Sequence, residues 1–304
     1  MEPAAWQAVA KPQRARRRKK YLLSYLFLAP SFLFVFTFLY YPVGSALFHS
    51  FTQWNLASAK WIGLDNFERL FSDRMTVTSM WNQVVFTITD LLKNLIFPLV
   101  AAELIYLLPG KFSKYVFRTG FIIPMLVPGI VAILLWLSIY DPTYGLLNQF
   151  LAFAGLEDWS RAWLGDSSTA IWAVVMVGFP FISGLFFLIL YAAIGSFNNE
   201  MIEAARMDGA KGLKLFAKIH LPLLIPQFKV ITILTIIGSL QDFVKMLVLT
   251  KGGPGVSTVI PSLTMYTAAF ESSEYGYAAA IGTCLFLLII ALTLFNMKIF
   301  KTDY

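Results

Sequence analysis

Apolar residues gather along the 304-residue chain into six long runs, at about 21 to 45, 82 to 108, 116 to 140, 170 to 194, 223 to 249 and 277 to 299. Each meets or approaches the roughly 20 residues that a helix needs to cross the hydrocarbon core of a bilayer. There the backbone must satisfy its own polar groups, so each run predicts a helix. The expected fold is all-α and integral to the membrane, with six transmembrane helices. No soluble domain larger than a loop remains. Pro124 and Pro128 in the third run, Pro180 in the fourth, and Pro222 and Pro226 at the start of the fifth remove backbone donors and predict bends or breaks.

Two short polar-apolar patterns interrupt this plan. Phe67, Leu70 and Phe71 form one apolar stripe, and Asp65 and Glu68 have capping-box spacing, which predicts a small helix lying on the membrane surface. Residues 199 to 209 read as a second short helix. Asn198 or Asn199 can cap it, Glu200 and Glu203 sit near its positive end, and Gly209 can take the left-handed conformation that ends it. A helix of this length is marginal alone and needs a surface to hold it.

Composition agrees with a bilayer: 58% of residues are apolar, 13% are charged, and mean hydropathy is +0.68. Among the 24 lysines and arginines, only Lys60, Arg69, Arg74, Arg161 and Lys251 fall on one side of the six runs, and Lys93, Lys229 and Lys245 fall within them. All the others lie on the side of both termini, which the positive-inside rule places in the cytoplasm. The layout is then a basic cytoplasmic tail at 1–20, a first helix at 21–45, an external loop at 46–81, a five-helix core at 82–299 and a cytoplasmic tail at 300–304. Within the core, the loop at about 195–222 is cytoplasmic, and those at about 141–169 and 250–276 are external. The run Arg14 to Lys20 directly precedes an apolar span, so it reads as an orientation signal near anionic lipid, and the net charge of +7 requires no nucleic acid. The apolar run from Tyr21 to Tyr41 exceeds the 7 to 15 residues of a signal peptide, which predicts an uncleaved first helix.

Catalytic constellations are not found. His49 and His220 fall in separate loops on opposite sides, so neither a metal site nor a Ser-His-Asp arrangement is supported. Cys284 lies inside the last run, where a small apolar role is expected. Lys251-Gly252-Gly253-Pro254-Gly255 lacks the Gly-Lys-Ser/Thr ending of a phosphate loop. Ionisable and polar groups inside the runs are more informative, because at that depth they must face protein, water or cargo. Thr235, Ser239 and Asp242 at i, i+4 and i+7 share one face of a continuous helix, either lining a pathway or bonding a neighbouring helix, with Asp242 paired to Lys245. Asp90, Lys93 and Asn94 at i, i+3 and i+4 form either a structural pair facing another subunit or part of a pathway. An ion-coupled secondary transporter would also account for these charges.

The stretch Glu203-Ala204-Ala205-Arg206-Met207-Asp208-Gly209-Ala210, followed by Ile219, Leu221-Pro222 and Pro226, resembles the signature cytoplasmic loop of binding-protein-dependent ABC importer permeases. Ile62-Gly63-Leu64-Asp65-Asn66-Phe67, Ile123-Pro124-Met125-Leu126-Val127-Pro128, Gly178-Phe179-Pro180-Phe181, Leu249-Thr250-Lys251-Gly252-Gly253-Pro254 and Ala278-Ala279-Ala280-Ile281 occur in the order found in the sugar-type members, the larger maltose-importer permease among them. The resemblance implies a type I importer permease for a sugar or oligosaccharide in the cytoplasmic (inner) membrane of a bacterium or archaeon. It implies as partners a second, similar permease subunit, two ATPase subunits that bind ATP and magnesium, and an external solute-binding protein. This chain would hold no cofactor and hydrolyse no ATP by itself. Glu203, Ala204, Ala205, Met207, Asp208 and Gly209 would couple to the ATPase.

By the same resemblance, substrate contacts fall on Met125, Gly129 and Leu134, on Met176, Gly178 and Phe181, and on Thr235, Ser239 and Asp242. Several side chains differ from the maltose permease: Met125 and Phe181 replace tyrosines, Met176 a tryptophan and Asp242 an asparagine. A carboxylate at 242 would disfavour an acidic sugar unless Lys245 neutralises it. Maltose itself is therefore not the expected cargo.

Overall fold

The computed structural model describes residue 21 and residues 24–300, so the basic run Arg14 to Lys20 and the tail 301–304 lie outside the described residues. The first run becomes α1, Ser24–His49, with a π-helical segment at Phe36–Tyr40. Only its last turns, Tyr41–His49, pack against the final helix, and the rest presents apolar side chains outward. A feature invisible to hydropathy follows. Strands β1, Thr52–Trp54, and β2, Ala59–Trp61, form an antiparallel hairpin with Thr52 opposite Trp61.

Helix α2, Asp65–Ser72, sits where the amphipathic stripe predicted it and buries Asn66 and Leu70 against protein. Leu70 is 1% exposed among Ala268, Tyr277, Ala278 and Ile281, whereas Phe71 from the same expected stripe is 62% exposed. Asp65 and Glu68 do not form the expected capping box, because the helix begins one residue early and Leu64 holds the cap position. Two polar clamps fix α2 instead. The buried Asn66 side-chain amide donates to the Ser50 and Thr52 carbonyls at 3.0 and 2.9 Å. Arg69 makes a two-pronged contact with Glu274 at 3.0 and 2.9 Å.

Helix α3, Arg74–Leu107, is 34 residues long and starts eight residues before the apolar run suggested. Asp73 caps it, accepting from the Met75 amide at 3.2 Å and the Thr76 hydroxyl at 2.8 Å. The Thr76 hydroxyl first, and then the backbone donors, hold the Asp73 carboxyl below the usual carboxylate range. The extra turns escape a hydropathy reading because their buried residues are polar and paired. Asn82 donates to the carbonyls of Val256 and Val259 at 3.0 and 2.9 Å. Pro98 lies inside α3 and removes one of its backbone donors.

Among the described residues, three helices, α1, α3 and α14 (Tyr275–Ile299), are long and apolar enough to cross a membrane unaided, and the other spans are built from bent or broken helices. Breaks fall near the predicted prolines. Helix α4, Lys111–Ile122, continues as a 3-10 turn over Ile123–Leu126 and then meets α5, Gly129–Ile139, at 93° beside Pro128. After α6, Leu146–Phe153, in the loop, the fourth span consists of α7, Ala170–Met176, and α8, Gly184–Gly195, with residues 177–183 unwound between them. Helix α9, Asn199–Met207, turns 72° from α8. Helix α10, Leu213–Leu223, meets α11, Ile225–Gln241, at 66°. The fifth span was expected to be continuous, but α11 stops at Gln241 and α12 restarts at Val244–Leu249. Helix α13, Pro261–Phe270, packs on α14.

The central core joins α3 to α8 through Ala101, Ala102 and Ile105 against Phe187, Leu190 and Ile194. A second close approach binds the hairpin to α14. A Cβ built on Gly276 would run into the Thr52 carbonyl oxygen and lie 2.9 Å from the Trp54 amide nitrogen. Overpacking of this kind costs about 1–3 kcal/mol. Gly276→Ala should lower the melting temperature of the detergent-purified protein. Gly44→Ala, where nothing lies within 4 Å, should not.

Candidate functional site

Helix α9 is built from local signals. The Asn198 side chain accepts from the Glu200 amide at 2.8 Å, which settles the choice of cap, and Glu200 occupies the first turn where the helix dipole favours a carboxylate. At the other end Gly209 adopts φ +80°. Its amide bonds to the Arg206 carbonyl at 3.1 Å, and the Ala210 amide bonds to the Ala205 carbonyl at 2.9 Å. These two bonds make a Schellman stop. Ile202, Ala210 and Leu215 bury one face of the loop against the start of α10. Glu203, Ala204, Met207, Asp208 and Gly209 therefore point outward, and Met207 is 88% exposed. Ala205, grouped with them on sequence grounds, is half-buried against the Ile202 cluster instead.

Further along the same segment, His220 is 0% exposed, and its Nδ1–H donates to both carboxylate oxygens of Glu103 on α3 at 2.9 Å. Tyr106 meets the imidazole edge-on at 5.2 Å between ring centres, and Phe197 tilts against it at 5.5 Å. The loop that carries the exposed face of α9 is thus clasped to α3 by one buried polar pair. Sequence reading placed His220 in a loop and missed this partner, which lies 117 residues away.

At mid-span, a cavity of about 250 Å³ opens where the fourth span is unwound. Helix α7 ends at Met176, leaving late carbonyls without helical partners. Lys93 uses one of them, donating to the Val175 carbonyl at 3.0 Å while its Nζ lies 2.7 Å from Asp90 Oδ1. The same ammonium sits 5.3 Å over the Phe181 ring. Phe181 is held in the left-handed region at φ +63°, and its amide bonds to the Gly178 carbonyl at 2.8 Å. Gly178, Phe181, Asp90, Lys93 and Lys245 line this one cavity. The Asp90–Lys93 pair therefore borders an open space within the chain.

The other expected pathway residues do not converge there. Thr235 and Ser239 are buried between helices. Asn94 donates to the Thr235 hydroxyl at 3.2 Å, and Ser239 receives Gln83 at its carbonyl at 3.0 Å and meets the Thr87 hydroxyl at 3.2 Å. Asp242 does not share their face, because the helix ends at Gln241 and residue 242 is extended, at ψ 92°. It is exposed, and among the described residues it has no ion pair with Lys245 within 4 Å. Lys245 turns into the cavity instead. Met125, Leu134 and Met176 present exposed side chains, and Gly129 lies on an exposed stretch of the third span.

The profile of the family described as "binding-protein-dependent transport system inner membrane component" matches residues 94–302, a stretch that includes the capped loop and most of the cavity wall. This chain belongs to that family. The permease is 36% identical over 284 residues to the probable ABC transporter permease protein YurN of Bacillus subtilis (strain 168), covering 92% of the chain and 97% of YurN. It is 32% identical over 283 residues to the sn-glycerol-3-phosphate transport system permease protein UgpA of Escherichia coli O157:H7, covering 91% and 93%. A crystal structure of a bacterial ABC transporter involved in the import of the acidic polysaccharide alginate shares its fold, with a TM-score of 0.84 at 22% identity over 95% of this chain and 98% of that one. The permease is an inner-membrane, multi-pass subunit of an ABC importer with the type I architecture, and the secondary-transporter reading is not favoured.

Proposed function

We propose that this permease carries a sugar or oligosaccharide, delivered by an external solute-binding protein, through a pathway shared with a second permease subunit. Two ATPase subunits, which bind ATP and magnesium, drive it through the face of α9 formed by Glu203, Ala204, Met207, Asp208 and Gly209, with Ala205 backing that face. The chain itself performs no catalysis and holds no cofactor. Both termini face the cytoplasm. Met125, Gly129, Leu134, Met176, Gly178 and Phe181 border the pathway, and Thr235 and Ser239 fix the helix beside it.

The observation that carries this reading is a marginal nine-residue helix, capped at both ends and anchored by one face, that leaves its other face free. The alginate importer, crystallised with a periplasmic protein holding an alginate pentasaccharide, supports the carbohydrate class and the external carrier. A cysteine at Met207, with Cys284 replaced by alanine, should crosslink to an ATPase subunit in membranes that co-express the partners, and the yield should change with ATP. A permease present in the membrane that yields no such crosslink would sink the coupling assignment.

A further inference from the structure

We infer that the mid-span cavity receives an oxyanion of the transported solute (a carboxylate, phosphate or sulfate) and that Lys245 is the cation that binds it. The inference rests on the importer reading above and names the charge class of its cargo.

Three lining residues of the cavity carry charge: Asp90, Lys93 and Lys245. Asp90 and Lys93 neutralise each other at 2.7 Å, and Lys93 spends a second donor on the Val175 carbonyl. Lys245 is left over. Among the described residues no carboxylate lies within 4 Å of it, and its ammonium sits over the face of Phe86 at 5.9 Å. Asp242, the partner that sequence spacing offered, is removed by the helix break and points elsewhere. The cavity thus carries one positive charge in excess, near the middle of the 34-residue α3.

An ammonium at that depth is costly unless it meets protein, water or cargo. At a partly buried position, a fixed cation attracts an anion more strongly than it would on the open surface. The remaining wall fits the rest of a polyhydroxylated solute. Phe181 offers a ring face, and Asn94 and Ser183 offer neutral polar groups. The competing occupant of Lys245 is an acidic side chain of the second permease subunit.

The test is equilibrium binding to the complete importer in lipid nanodiscs, without binding protein, so that the carrier's own selectivity does not enter. The probes are a uronic-acid disaccharide and a hexose phosphate, each beside its neutral counterpart. At least one anion should bind tenfold or more tightly than its neutral counterpart. Lys245→Gln should erase that preference, while Lys245→Arg should keep it. Equal binding of both members of each pair, unaltered in Lys245→Gln, overturns the inference and leaves the sugar-importer reading standing. Loss of the second permease on purification of Lys245→Gln, with no anion preference in the parent, also overturns it and assigns the lysine to the subunit interface. If none of the probes binds, the inference falls. The Met207 crosslink then reports separately whether the importer reading survives.

Discussion

Gly209→Pro should abolish the stimulation of ATP hydrolysis by the binding protein in the reconstituted importer, while the permease still reaches the membrane and assembles. At φ +80° the position is left-handed, and proline is locked near −65°. The substitution also deletes the amide that bonds to the Arg206 carbonyl. A forced backbone of this kind costs about 1–3 kcal/mol, and the lost hydrogen bond about 1 kcal/mol more. Helix α9 has only nine residues and little intrinsic stability to draw on. A loss of about 3 kcal/mol lowers the population of the folded, docking-competent helix by roughly a hundredfold. Gly209→Ala should be milder, since a Cβ there meets nothing within 4 Å and only the backbone strain remains. Glu203→Lys, which leaves the fold alone and inverts the charge of the exposed face, should uncouple by a different route. Normal stimulation in both the proline and lysine variants would rule out α9 as the coupling element.

The second large effect is expected at the buried clasp. Glu103→Ala leaves the Nδ1–H of a fully buried imidazole without an acceptor, a deficit on the order of 1–3 kcal/mol. It also frees the α9–α10 segment from α3. Melting temperature and stimulated ATPase activity should therefore fall together. Glu103→Gln keeps an oxygen in place for the same donor and should retain most of both. Replacing Glu103 and His220 together by leucine removes donor and acceptor at once, so the double leucine variant should cost less stability than the sum of the two single leucine variants, the non-additivity expected of contacting residues. Strict additivity would mean that the pair does not act as a unit.

What the sequence made legible was local. The apolar runs, a cap at Asn198 or Asn199 and the stop at Gly209 all depend on residues a few positions apart; the structure takes Asn198 as the cap and Gly209 as the stop. The break at Asp242 was missed because no proline or glycine marks it. Helical spacing then assigned Asp242 to a face it does not share with Thr235 and Ser239. The early start of α3 was missed because Thr76 and Ser79, in the added turns, are polar yet buried, while Asn82 and Gln83, at the edge of the predicted run, pair with carbonyls more than 150 residues away. The hairpin at 52–61 has strands of three residues, too short for an alternating pattern to register. Glu103 and His220 each looked unremarkable alone. In the cavity, the sequence supplied Gly178 and Phe181 through resemblance and flagged Asp90 and Lys93 as an oddity, but it linked Lys245 to the wrong carboxylate.

Helix α3 carries both the clasp to the cytoplasmic loop, at Glu103, and the ion pair that borders the cavity, at Asp90 and Lys93. Thirteen residues separate the two ends of that stretch, about 20 Å along the axis. One rod therefore joins the place where force would enter to the place where cargo would sit, and any roll of its lower end must be passed upward through it. Pro98 lies between the two stations, where the helix runs on without a break but lacks one backbone hydrogen bond. If the rod bends at all under load from the loop, the missing hydrogen bond marks where it would yield first, and the charges beside the cavity would then move less than the loop does.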